Sequence, residues 1–111
     1  MDQYEIIITP DATSDLYELR DYIADVLLAP NTALKYIRTI REAIETLKQL
    51  PERNPAVSEE PWHSYGIRKI IVKNFYVYYR VDKKDLRVYI LNVIYNRRDQ
   101  LRQLARINME Q

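Results

Sequence analysis

Two apolar stripes dominate the first half of the chain. Ala12, Leu16, Leu19, Ile23 and Val26 recur at alternating spacings of four and three, and Ala33, Ile37, Ile40, Ile44 and Leu47 recur at similar spacings. That period puts each set on one face of a helix. Thr9-Pro10-Asp11 is a start signal for the first helix: a hydroxyl to cap it, a proline at the first helical position and an acid in the first turn. Ala29-Pro30-Asn31 separates the stripes, and Leu50-Pro51 ends the second. Two helices joined this tightly form an antiparallel hairpin. Ahead of them, Tyr4–Thr9 (YEIIIT) is short and β-branched, as in a strand.

After a proline-bearing loop, Pro51–Tyr65, the period changes from helical to alternating. Gly66–Lys73 (GIRKIIVK) reads as a strand, followed by a short turn at Lys73-Asn74. Phe75–Val81 (FYVYYRV) sets Phe75, Val77, Tyr79 and Val81 on one face, and Tyr76, Tyr78 and Arg80 on the other. Asp82-Lys83-Lys84-Asp85 is a polar turn. In Leu86–Tyr95 (LRVYILNVIY), Leu86, Val88 and Ile90 share one face, and Tyr89, Leu91 and Val93 the other. Asn96, with Asp99 three residues on, signals a last helix with a modest apolar side in Leu101, Leu104 and Ala105. The expected order is β-α-α-β-β-β-α. This is an α+β domain over residues 1–111, with the helical hairpin packed on a small, mainly antiparallel sheet. The hairpin covers one sheet face. The other is expected to be left, at least in part, to tyrosines and cations.

A chain of 111 residues suits one domain and buries a core without staples. It has no cysteine, which excludes disulfides, thiolate zinc sites and cysteine nucleophiles and suits a reducing cytoplasm. Gly66 is the only glycine, so phosphate-cradling glycine loops are excluded. No apolar run reaches the ~18 residues of a membrane span. The opening MDQYEIIITP lacks the basic region of a signal peptide. These features predict a cytoplasmic protein with no membrane partner, metal or cofactor. The net charge of +1 hides a split: residues 1–65 hold 6 Lys or Arg and 12 Asp or Glu (net −6), residues 66–111 hold 11 and 4 (net +7). The basic half calls for an anionic partner, unless the halves neutralise each other across their interface.

The run GIRKIIVKNFYVYYRV, followed by VYILNVIYNRRD, resembles the RelE/ParE superfamily, the toxins of bacterial type II toxin–antitoxin pairs. The specific pieces are Gly66-x-Arg68, Tyr76-x-x-Tyr79 and Tyr95-x-Arg97-Arg98-Asp99, in that order behind a strand and a helical hairpin. The resemblance runs from Tyr4 to about Leu104 and implies a cognate antitoxin as partner. It also implies one of two lethal actions. RelE-like members cleave mRNA on the ribosome without a metal, and ParE-like members bind and poison DNA gyrase. The residues lean slightly towards mRNA cleavage and translation inhibition, since a basic surface rich in tyrosine suits RNA. The alternatives are a ParE-like gyrase inhibitor, which does no catalysis, and a degenerate member that only binds its antitoxin.

Metal-free RNA cleavage needs cations for the phosphorane charge and groups that move protons. The resemblance assigns that chemistry to Arg68, Lys69, Tyr95 and Arg97, and target binding to Lys73, Tyr76, Tyr78 and Arg98. Lys69 matches an active-site lysine of RelE-type sequences and Arg97 an arginine near the last helix. Ile67, Tyr76 and Gln103 fall where a second lysine, an arginine and a catalytic tyrosine stand. The long hairpin and the Arg97-Arg98-Asp99 triplet look more like ParE. Other roles stay open for the same residues. Arg68 suits a structural ion pair, Lys69 and Lys73 a solvated edge, and Tyr76 and Tyr78 cross-strand packing. Arg97 and Arg98 sit in the first turn of a helix, where the dipole disfavours cations, which suggests a purpose for them. His63 is expected to be a loop residue, and Trp62 a plug over the sheet edge or an antitoxin contact.

Overall fold

The computed structural model describes residues 3–26, 28–73 and 75–94. Strand β1 (Glu5–Ile8) leads into helix α1 (Pro10–Asp21), which runs on as a π-helical turn at Tyr22–Val26. Helix α2 (Pro30–Glu45) follows, then two short 3-10 turns at Thr46–Lys48 and Pro51–Arg53. Strands β2 (Arg68–Val72), β3 (Phe75–Asp82) and β4 (Arg87–Ile94) complete the described fold. The final helix expected after Asn96 lies outside the described residues.

Among the described residues the sheet has four strands in the order β1-β4-β3-β2. The meander β2-β3-β4 is antiparallel, and β1 joins β4 in parallel, with Ile6 opposite Val88 and Ile8 opposite Ile90. The parallel pairing follows from the hairpin, whose two helices carry the chain back to the starting end before the meander begins. This is the expected α+β architecture, two helices on one face of a mixed sheet.

The start of α1 is built as its sequence implies. Thr9 Oγ1 accepts the Ala12 N–H at 3.3 Å, with Pro10 in the first turn. The same buried hydroxyl donates to the Ile90 carbonyl at 2.7 Å, so the cap also fastens α1 to β4. Helix α2 begins at Pro30, a turn before its first buried stripe residue, Ala33. Both stripes meet the sheet: Ala12, Leu16, Ile40, Ile44 and Leu47 pack on Val72, Phe75, Val77, Tyr79, Val88, Ile90 and Val93.

Two expectations about the sheet are corrected. Val93 lies on the helix side with Val88 and Ile90, not with Tyr89 and Leu91. A register shift is the cause: Tyr78 faces Asn92 but Tyr79 faces Ile90, so Leu91 is an extra residue and the alternation changes phase. Asp15 of α1 supports the bulge, accepting the Val93 N–H at 2.9 Å and the Asn92 side-chain N–H at 3.1 Å. The second sheet face is also not left open. The segment Val57–Ile67 folds over it, and Val57, Ile67 and Trp62 pack on Tyr76, Tyr78, Leu91 and Ile94. That segment ties its own backbone: Val57 N–H to the Ile67 carbonyl and His63 N–H to the Glu59 carbonyl, both 2.8 Å. Trp62 is a plug, but over the face of β3 and β4 rather than over the sheet edge where the sequence reading placed it.

Candidate target-binding surface

Of the site residues expected from sequence, Arg68, Lys69, Lys73, Tyr76 and Tyr78 lie within the described structure. Tyr95, Arg97 and Arg98 lie outside it. The β2–β3 register sets Lys69 opposite Tyr78, and Ile71 opposite Tyr76, on the loop-covered face.

The five described residues do not converge on one point. Arg68 turns to the chain segment before it. Its guanidinium donates to the Asn54 and Glu52 carbonyls and meets the Glu52 carboxylate at 3.4 Å. Glu52 also holds Lys83 at 3.2 Å, so one carboxylate ties β2 and the β3–β4 turn to the loop. The structural reading of Arg68 thus has a geometry, and its side chain is only 21% exposed. Tyr79 works in the same strap from the helix-side core. Its hydroxyl donates to the Pro51 carbonyl at 2.6 Å and accepts from the Asn54 side chain at 3.1 Å. Burial is the main cause that raises the Tyr79 phenol above the ordinary tyrosine range, which keeps it a donor.

Lys69 stays at the surface. Its ammonium sits 4.6 Å from the centre of the Tyr76 ring. It also lines a groove of about 650 Å³ between the edge of β2 and residues 54–59. Lys73 leaves for the other side: it occupies the turn after β2 at φ 55°, and its ammonium is 5.9 Å from the Tyr36 ring of α2. Tyr76 is 7% exposed and Tyr78 0%, so neither ring offers the open face a stacked base needs. Their proximity, 6.3 Å between ring centres, belongs to the second core. A strand-former's identity gives no warning of this, because the cover comes from an irregular loop.

Arg80 was not among the expected site residues. It lies 4.8 Å from the Tyr89 ring on the same face as Lys69, and the alternation of β3 placed it there. Arg87–Glu5, Arg68–Glu52 and Lys83–Glu52 join the basic half to the acidic half, so part of the charge split is answered inside the molecule. His63 is a loop residue whose Nδ1 lies 2.9 Å from the Val57 carbonyl, the geometry of a donating Nδ1–H. Glu60 accepts from the Ser64 hydroxyl and N–H, and those bonds lower its carboxyl below the usual range. Among the described residues no cluster of three His, Asp or Glu is placed to hold a metal. None of their helices is long and apolar enough to cross a membrane.

A helical hairpin laid on a mixed β1-β4-β3-β2 sheet, with a basic strand at its edge, is the architecture of the RelE/ParE-like toxins. Residues 6–100 match the family model described as the ParE toxin of the type II toxin–antitoxin system parDE, and the chain belongs to that family. Solved structures agree. A chromosomal ParDE system from P. aeruginosa is 25% identical with a TM-score of 0.69, over 84% of this chain and 96% of that one. The RelBE2 toxin–antitoxin complex of Mycobacterium tuberculosis is 21% identical with a TM-score of 0.60, over 85% and 99%. A free mutant form of the E. coli toxin RelE shares the fold at 12% identity, with a TM-score of 0.62 over 91% and 92%. No curated protein matches the chain.

Proposed function

We propose that this type II toxin acts by binding DNA gyrase as a protein inhibitor, without cutting RNA, and that a cognate antitoxin neutralises it. The toxin class itself follows from family membership. The observation that supports this choice of target is that the described residues expected to cleave or bind RNA do not surround one point. Arg68 is engaged in the loop strap, Lys73 turns towards α2, and Tyr76 and Tyr78 lie in a closed core. Phosphoryl chemistry needs its cations and proton carriers around one reacting group. A binding surface has no such requirement. The ParE family match and the ParDE likeness favour the same reading.

In this proposal Lys69, with Tyr95, Arg97 and Arg98 from the segment after β4, supplies contacts to an anionic partner surface. Arg68, Tyr76 and Tyr78 hold that surface in shape. A second reading, ribosome-dependent mRNA cleavage, rests on Lys69, which matches a RelE-type lysine.

Controlled expression in a bacterial host separates the two. The gyrase reading expects an induced DNA-damage response with translated mRNAs intact by primer extension. Cuts within translated mRNAs, without a DNA-damage response, would replace it with the second reading.

A further inference from the structure

The outer layer of the hairpin carries charge and apolar surface that the described chain leaves unanswered. Tyr22, Leu28 and Leu34, 48%, 82% and 59% exposed, flank the bend between α1 and α2, and Tyr17, 53% exposed, stands further back on α1. Large apolar groups exposed on both arms of one hairpin point to a contact surface. Around the bend, α1 is mainly acidic and the first half of α2 is basic, with Glu42 and Glu45 further along α2. Glu18, Asp21 and Asp25 point outward from α1 and its π-helical turn, away from the buried Ala12 and Leu16. Lys35 and Arg38 point outward from α2, away from the buried Ala33, Ile40 and Ile44. Asp21 is paired with Arg20 at 3.0 Å, and Arg20 also lies over the Tyr17 ring. Among the described residues no ion pair engages Glu18, Asp25, Lys35 or Arg38.

We infer that this layer docks a second copy of the same chain. Symmetry selects how. A two-fold axis running along the helices, between two facing hairpins, lays α1 of each copy on α2 of the other, antiparallel, with the bends at the same end. Glu18 and Asp25 then face Lys35 and Arg38 twice. A two-fold axis across the helices would stack acid on acid and base on base. A self-complementary patch is what an isologous pair requires. Size sets the strength. The bend half of the layer is about 20 Å by 20 Å from helix dimensions, so a pair buries about 800 Å² in total. Stable complexes bury roughly 1,200–2,000 Å², so this dimer is weak, with a Kd on the order of 10–100 µM, and salt-sensitive. The inference is independent of the toxin's target.

Sedimentation of the purified toxin tests it. Wild type should shift from monomer towards dimer as concentration rises to about 200 µM at about 50 mM salt, and return to monomer at about 500 mM. Two charge-reversed variants make the test specific: Glu18→Lys with Asp25→Lys, and Lys35→Glu with Arg38→Glu. Each alone should remain monomeric, since like charges then meet across the axis. Mixed in equal amounts they should form a heterodimer, because the reversed faces complement each other. Monomeric wild type at about 200 µM and low salt overturns the inference, as does a mixture that stays monomeric. Should a variant lose its helical circular dichroism, the wild-type salt series decides, and association unchanged by salt counts against the inference.

Discussion

On one side of the sheet, α1 and α2 lay Leu16, Ile40, Ile44 and Leu47 over Phe75, Val77, Tyr79, Val88 and Ile90. On the other, an irregular segment lays Val57, Trp62 and Ile67 over Tyr76, Tyr78, Leu91 and Ile94. The first cover is regular, so its side chains repeat with the helical period and many rows reach the sheet at once. The second has no period. It holds its place with one aromatic plug, its own backbone bonds, and a strap of Arg68, Glu52 and Tyr79 at its beginning. A face closed by a loop is thinner and draws polar residues into structural work. Residues that look like a free cationic strand are thereby committed to holding the cover down.

The largest expected effect tests the helical side. Ile40 is fully buried, and Ile40→Ala should cost roughly 3 kcal/mol in urea unfolding. Trp62→Ala should cost less, about 2 kcal/mol, because Trp62 is only partly buried. Equal losses would break the comparison, since the loop would then be as much a core as the hairpin. Tyr79→Phe removes both hydrogen bonds of the hydroxyl, to the Pro51 carbonyl and from the Asn54 side chain, at about 1.5 kcal/mol near neutral pH. Its sharper signature is alkaline. The folded phenol has a raised pKa, so its contribution is fully present below the unfolded tyrosine value of about 10 and is lost as pH rises through the folded value. The variant should lack that part of the alkaline loss seen in wild type. Smallest is the strand pair. Arg68→Met should cost about 1 kcal/mol and loosen residues 52–56, whereas Lys69→Ala should change stability by less than about 0.5 kcal/mol and weaken target binding. Equal stability losses would show that Lys69 also holds structure.

The hairpin was legible because its signals are local. Thr9-Pro10-Asp11 supplies cap and first turn within three residues, and the stripes declare their buried face by spacing. The face assignment of β3 was legible for the same reason. The bulge at Leu91 was not, because nothing in LRVYILNVIY marks the extra residue, and Asp15, which supports it, lies 78 positions from Val93. The cover of the second face was hidden too. Its proline-bearing segment has no periodic pattern, so only the tertiary structure tells that Trp62 lands on the sheet. The sequence left Arg68 between a site role and a structural ion pair, because its partners Glu52 and Asn54 precede it by 16 and 14 positions. At the candidate site, sequence found the residue types and the family. It did not find which tyrosines are buried, since tyrosine serves equally as core, cross-strand partner and stacking platform.

The central claim is inhibition by occupancy. Purified toxin titrated into a fixed amount of DNA gyrase with relaxed plasmid tests it most directly. Supercoiling should fall in proportion to added toxin and stop at a fixed toxin-to-gyrase ratio that does not drift with time, while an mRNA translated in a parallel reaction stays whole. Gyrase left fully active at roughly tenfold excess of toxin, beside mRNA that continues to be cut, would contradict the account.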